Sequence, residues 1–134
     1  MNTAWVTEWL KAYNDQKYDK MMTMYADDLD FEDLVFGEVR RGKASFRELI
    51  DAFHSLGGVH KFEVVRYVGN ESGGVVEFTW NAKLGGDFLG VPAAGKTINT
   101  RGVSVMSFNK DGKIVRQRDL WNARAVLQQL GVVQ

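Results

Sequence analysis

The sequence predicts an α+β fold with a mostly antiparallel sheet, and three observations predict it. Apolar residues recur at helical spacing in the first third of the chain, the period switches to two over most of the remainder, and short glycine-rich links join the alternating segments. Helices first and hairpin-linked strands afterwards is the order of an α+β domain rather than of repeated βαβ units. The 134 residues show no internal repeat, low-complexity tract or Pro/Ser-rich linker, so 1–134 reads as one domain.

Trp5, Trp9 and Tyr13 recur every four residues, with Val6 and Leu10 beside them, which is the stripe of an amphipathic first helix. A short second helix follows Asn14-Asp15, with Tyr18, Met21, Met22 and Tyr25 on its apolar side, and Ala26-Asp27-Asp28 ends it. Leu29–Phe36 reads as a strand, Gly37 opens a turn, and Val39–Arg41 forms a second, short strand. Gly42 precedes a third helix whose buried stripe is Phe46, Leu49, Ile50 and Phe53, and Gly57-Gly58 stop it. Val59–Val68, Val75–Leu84, Thr97–Phe108 and Lys113–Trp121 alternate as strands. The link Asn109–Gly112 carries the Asp-Gly pair that a tight hairpin turn favours. Ala123–Leu130 ends the pattern as a short helix closed by Gly131. A strongly bent sheet wrapped against helices leaves a concave cavity, where small ligands usually sit.

Composition narrows the partners. Lys and Arg number 17 against 17 Asp and Glu, and the pI is about 6.7, which argues against a nucleic-acid partner because such binders show a basic face. The absence of Cys removes disulfides, a thiolate nucleophile and cysteine zinc ligation. His54 and His60 lack HxxxH spacing, so no metal site is expected. The glycines of Gly85–Gly90 lie between strands without the helix start that cradles phosphate. No cofactor is expected. The Met-Asn-Thr start lacks a basic and apolar leader, and no apolar run approaches the ~20 residues of a membrane span. The expectation is a cytoplasmic domain, with no membrane partner, that takes a small molecule or another protein.

Two acids do not fit their faces. Along Leu29–Phe36, Asp33 shares its direction with Leu29, Phe31 and Val35. A carboxylate on an apolar face has its pKa raised by desolvation, toward the range of a general base. Alternatively, Asp33 caps a bulge or pairs with Arg40 or Arg41. Asp119 shares its side of the last strand with Val115, Gln117 and Trp121. It either faces the same cavity as Asp33, with coupled titration, or forms a cross-strand pair with Arg101. Trp80 and Phe78 share a hydrophobic row with Val76, Ala82 and Leu84, as core or as pocket wall. Met21, Met22 and Met24 are packing or adaptable lining. His54, one position off its helix stripe, either bonds a backbone carbonyl or serves as a proton shuttle at the cavity mouth.

Tyr25-Ala26-Asp27-Asp28, Phe31-Glu32-Asp33 and Arg41-Gly42 resemble the first strand of ketosteroid isomerases and other members of the nuclear transport factor 2-like superfamily. The C-terminal third resembles the SnoaL-like polyketide cyclases. Gly90-Val91-Pro92-Ala93-Ala94-Gly95-Lys96 is similar to their Gly-x-Pro-x-x-Gly-Lys loop, and Asp111–Val115 and Leu127–Gly131 are similar to the signatures that follow. The resemblance implies a cone-shaped α+β barrel, with the curved sheet wrapped around the N-terminal helices and a central cavity. By position it places Asp33 at the general base of the isomerases and Trp121 on their pocket lining. The oxyanion-donating acid of the isomerases corresponds to Ser104, Tyr13 stands out of register with their tyrosine, and an acid that cyclases carry before the last helix corresponds to Asn122.

The leading expectation is therefore a cofactor-independent cyclase or isomerase. Asp33 or Asp119 would move a proton next to the carbonyl of an apolar polyketide- or steroid-like substrate. Ser104, Asn122 and a protonated acid would stabilise the enolate, and Trp121, Trp80, Phe78, Met106 and His54 would line the site. A non-catalytic ligand-binding domain is the second reading. Epoxide hydrolysis is the third and needs Arg101 between Asp33 and Asp119, although Arg101 shares parity with Val103 and Val105 rather than with Ser104 and Met106. A sheet face that few helices can cover, together with the habit of the family, predicts a homodimer.

Overall fold

The computed structural model describes residues 4–133. Met1-Asn2-Thr3, read above for the absence of a leader, lie outside the described residues. Helices α1 (Ala4–Asn14) and α2 (Tyr18–Met22) lead into β1 (Tyr25–Asp33) and β2 (Glu38–Arg41), and α3 (Lys43–Ser55) follows. Strands β3 (Gly58–Asn70), β4 (Gly73–Leu84), β5 (Thr97–Phe108) and β6 (Ile114–Trp121) precede α4 (Ala123–Gln129). The strands form one curved six-stranded sheet in the order β2-β1-β6-β5-β4-β3. All pairings are antiparallel except β1 with β6. The expected α+β class and mostly antiparallel sheet are therefore present, and the cone stays open because β2 and β3 do not meet.

Register shifts in β1, in β3 between Val64 and Arg66, and in β5 between Ser107 and Phe108 bend the sheet. Its concave face packs against α1 and α3. Val6, Trp9 and Leu10 of α1 and Phe46 and Ile50 of α3 are buried there, as the helical stripes predicted. Asn14, the last residue of α1, binds β3 twice. Its Nδ2 donates to the Phe62 carbonyl at 2.7 Å, and its Oδ1 accepts from the Phe62 N–H at 2.8 Å.

The first strand departs from the sequence reading at both ends. Tyr25 belongs to β1, paired with Ile114 of β6, and not to the second helix, which stops at Met22. The strand ends at Asp33 because Oδ1 of that side chain accepts from the backbone N–H groups of Val35 and Phe36, at 2.9 and 3.0 Å. Those bonds curl Leu34–Gly37 into a turn that a strand could not accommodate. Gly37, with φ of 71°, completes it.

The loop 85–96 folds back on the sheet, burying Phe88 and Ala93, and Lys96 Nζ donates to the carbonyl of Leu130 at 3.2 Å. Among the described residues no helix is long and apolar enough to cross a membrane.

His60 shows how side chains fix one another here. Trp80 Nε1–H donates to His60 Nδ1 at 3.1 Å, and His60 Nε2 lies 3.1 Å from the Gly57 carbonyl. An acceptor at Nδ1 and a donor at Nε2 describe a neutral ring, and burial holds its pKa below the usual imidazole value. Replacing His60 with Leu leaves the buried indole N–H unpartnered. The expected loss is about 1–3 kcal/mol, read by denaturant unfolding monitored through tryptophan fluorescence.

Candidate active site

The concave face and the helices enclose a cavity of about 500 Å³. Its walls are mainly aromatic and aliphatic, with Trp9, Tyr13, Phe46 and Phe53 on the helical side and Phe62, Phe78, Trp80 and Trp121 on the sheet. The turn 34–37 and the loop 85–91 form the rim, where Phe36, Phe88 and Leu89 reach the cavity. Phe36 is 49% exposed.

The polar groups lie along β1, β5 and β6. Strands β1 and β6 run parallel with Asp33 opposite Asp119, and adjacent strands lie about 4.8 Å apart. Both side chains line the cavity. Asp33 Oδ2 accepts from Trp121 Nε1 at 3.1 Å, in addition to the two backbone bonds at Oδ1. The capping alternative for Asp33 thus holds as geometry, although what it caps is the turn 34–37 and not a bulge. Its pairing alternative does not, because Arg40 binds Glu38 and Arg41 binds Asp30.

Asp119 has a different environment. Its Oδ1 accepts from Ser104 Oγ at 2.6 Å and from Gln117 Nε2 at 3.0 Å. Gln117 is oriented in turn, since its Oε1 accepts from the Tyr25 hydroxyl at 2.7 Å, and Tyr25 accepts from Trp9 Nε1 at 3.0 Å. Ser104 and Gln117 are 2% and 3% exposed, so this chain runs through the dry floor of the cavity. Burial pushes the Asp119 carboxyl up to about 6. The Ser104 and Gln117 bonds oppose the rise, and the charge of Asp33 adds to it. Tyr13 also lines the cavity, and burial together with the neighbouring Tyr18 and Asp119 charges raises its pKa well above the ordinary phenol value. Among the described residues its hydroxyl has no hydrogen-bond partner.

The structure thus brings Asp33, Asp119, Ser104, Trp121, Trp80 and Phe78 to one cavity. Three other expected site residues stand outside the lining. Met106 is buried in the core one step along β5, away from the lining. Asn122 caps α4, its Oδ1 accepting from the Ala125 N–H at 3.0 Å. His54 faces Tyr18, with its Nδ1 3.1 Å from the hydroxyl. The parity of β5 is settled by Ser104 facing Asp119 and Gly102 facing Trp121. Arg101 is therefore exposed on the outer face, beside Glu77 and Leu120, and makes no pair with Asp119. The Asp33–Arg101–Asp119 set needed for epoxide hydrolysis is not assembled in the cavity. Among the described residues no group of three or more His, Asp or Glu could hold a metal ion.

Gln117 and Tyr25 are residues of the cavity that sequence reasoning passed over, and Tyr13 is one that it set aside as out of register. Gln117 had the right signal, a polar side chain on the same strand face as Asp119.

An open cone of curved sheet, with an aromatic cavity and an acid on its floor, has the nuclear transport factor 2-like architecture. The chain belongs to the SnoaL-like domain family, whose model matches residues 6–117. Solved structures agree in fold. TsrD from Streptomyces laurentii superposes with a TM-score of 0.83 at 20% identity, covering 99% of each chain. A candidate SnoaL-like polyketide cyclase from Shewanella denitrificans gives 0.80 at 20% identity, covering 92% of this chain and 91% of its own. A protein of ketosteroid isomerase-like fold from Catenulispora acidiphila, solved with trimethylamine, gives 0.82 at 14% identity, covering 98% and 95%. No curated protein matches the chain.

The position of Asp119 has a measurable effect on stability. Its folded pKa of about 6 lies above the unfolded value of about 4. The folded state thus binds the extra proton, and stability falls as pH rises from about 4 through 6. Asp119→Asn keeps an oxygen for Ser104 and Gln117 without the charge. It is expected to raise stability at pH 7.5 by on the order of 2–3 kcal/mol, with the gain vanishing by pH 4. Unfolding curves across that range check the sign.

Proposed function

We propose that the chain is a small-molecule enzyme of the cyclase/isomerase type, with Asp119 transferring a proton next to the carbonyl of an apolar substrate. The observation that carries the reading is a buried carboxyl poised near neutrality on the floor of an aromatic cavity. Ser104 and Gln117 both bond Oδ1 and leave Oδ2 without a hydrogen-bond partner among the described residues, on a residue that lines the cavity. In the ionised form, that oxygen removes a proton from the carbon beside the carbonyl, and the electron pair moves onto the carbonyl oxygen. The unpartnered Tyr13 hydroxyl is the available donor to that oxygen. Ser104, whose one proton is committed to Asp119, is not, and neither is Asn122. Where the substrate carries a carbon–carbon double bond next to the deprotonated carbon, the protonated Asp119 then returns its proton to the far carbon of the resulting dienolate, and the shifted double bond gives an isomer. Alternatively, the enolate carbon attacks a second carbonyl and the new alkoxide takes the proton, which closes a ring. Neither route calls for a redox cofactor. Asp33, held by three N–H donors, shapes the field around Asp119 rather than moving the proton.

The test is proton exchange at the carbon beside the carbonyl of flat cyclic ketones, followed by NMR in deuterated buffer. The wild-type rate is expected to rise through pH 6 as Asp119 ionises, and Asp119→Asn to lower it about 10²–10⁴-fold. Equal rates in wild type, Asp119→Asn and Asp33→Asn would remove this mechanism.

A non-catalytic binding domain is the second reading. It is favoured by the engagement of Asp33 as a turn cap, and it predicts ligand binding with no exchange at all. In either case we propose a homodimer through the outer sheet face, where Val68, Val75 and Leu120 are exposed. Light scattering at micromolar concentration should return twice the chain mass.

A further inference from the structure

The cavity has an unbalanced charge inventory. Asp33, Glu38, Asp87 and Asp119 line it, and among the described residues no Lys, Arg or His does. Glu38 is answered by Arg40, at 2.7 Å. Asp33 and Asp119 are not answered, although they stand in register on neighbouring strands and enter the same space. Like charges placed opposite each other on adjacent strands destabilise a sheet, and exclusion of water strengthens the repulsion.

The other face of the same two strands handles the problem in the ordinary way. There Asp30 binds Arg41 at 2.6 Å and Arg118 at 3.0 Å, and Arg118 also approaches Glu32. Outward acids thus have arginines, whereas the inward pair has none.

The surroundings of Asp33 suit a cation that arrives from outside. Trp121 is tied to its carboxylate by the indole N–H. The rings of Phe36 and Phe88 lie 5.1 and 6.1 Å from that indole and 5.8 Å from each other. Aromatic faces attract ammonium groups, most strongly where water is excluded. Three N–H donors, from the backbone of Val35 and Phe36 and from the Trp121 indole, hold the Asp33 carboxylate in a fixed orientation next to this aromatic cluster.

We propose that the ligand of this cavity carries a protonated nitrogen, seated beside Asp33 among Phe36, Phe88 and Trp121, and that anionic ligands are excluded. The inference rests on the cavity being the ligand site and adds the charge class of the ligand. It divides the acids between two tasks. Asp33, near the rim, recognises the ammonium group, and Asp119, on the floor, stays free to exchange a proton with the apolar body. A carboxylate or phosphate ligand would meet four acids and no cation.

Calorimetry with three probes of one bicyclic skeleton tests this: 2-naphthylmethylammonium, 2-naphthalenemethanol and 2-naphthoate, at pH 7.5 and low salt. The ammonium probe is expected to bind at least about tenfold more tightly than the alcohol, with naphthoate weakest. Asp33→Asn should close the gap between ammonium and alcohol, and Asp87→Asn, on the exposed loop, should leave most of it. If Asp33→Asn fails to fold by circular dichroism, Phe36→Leu replaces it, since that ring is half exposed. It should weaken the ammonium probe more than the alcohol. Equal binding of ammonium and alcohol to the wild type overturns the charge assignment and leaves the cavity reading intact. A gap that survives Asp33→Asn, or that Phe36→Leu lowers equally for both probes, overturns the seat beside Asp33. No binding of any probe overturns both the charge class and the cavity as ligand site.

Discussion

Parallel pairing of β1 with β6 sets residue 33 beside residue 119, and the chemistry of the cavity follows from that adjacency. The two strands lie far apart in sequence, and every other ladder in the sheet is an antiparallel pairing. Shifting β6 by one residue would turn Gln117, Asp119 and Trp121 to the outer face and bring Arg116, Arg118 and Leu120 inward. The outer ion pairs of Arg118 with Asp30 and Glu32 oppose such a slip. So does the Trp121–Asp33 hydrogen bond. The register is thus specified from both faces at once.

An acid on the floor of an apolar cavity is costly unless its neighbours are arranged for it. Here the arrangement is directional. The indole of Trp9 donates to Tyr25, Tyr25 to Gln117, and Gln117 to Asp119, with each acceptor satisfied by the preceding donor. The direction fixes which way the Gln117 amide lies, and this in turn leaves Asp119 one unbonded oxygen. A chain in which each donor group has its acceptor makes a polar cavity floor rigid. In the proposed mechanism, such a floor holds the proton acceptor still.

Much of this was legible in the sequence because strand parity is a strict rule. Counting alone put Asp33 on the face of Leu29 and Phe31 and Asp119 on that of Gln117 and Trp121, and left open whether each acid entered a cavity or was held by a cap or an arginine. Counting fails where the backbone changes conformation within a pattern. Tyr25 continues the helical spacing of Tyr18, Met21 and Met22, and only its pairing with Ile114 reveals that the helix has already ended. The strand was read to Phe36 for the opposite reason. Its alternation persists beyond the point where the Asp33 side chain turns the backbone. The inward side of β5 could not be read, because Ser104, Met106, Val103 and Val105 are all compatible with a buried face and the choice depends on alignment with β6. Asn122 was placed in the site by position along the chain. The start of a helix claims a side-chain acceptor there, and that local demand won.

The bond pair between Asn14 and Phe62 has a consequence beyond holding α1 in place. Strand β3 is one margin of the sheet, and Phe62 lies near its middle. A bare margin offers free N–H and C=O groups to any extended chain that passes, which is how sheets recruit one another into aggregates. The carboxamide of Asn14 presents an acceptor and a donor together, as a peptide group would, and so occupies that slot with a single side chain. The helix thereby acts as a short counterfeit strand, and the sheet is terminated from within its own sequence at the place where the aromatic wall begins.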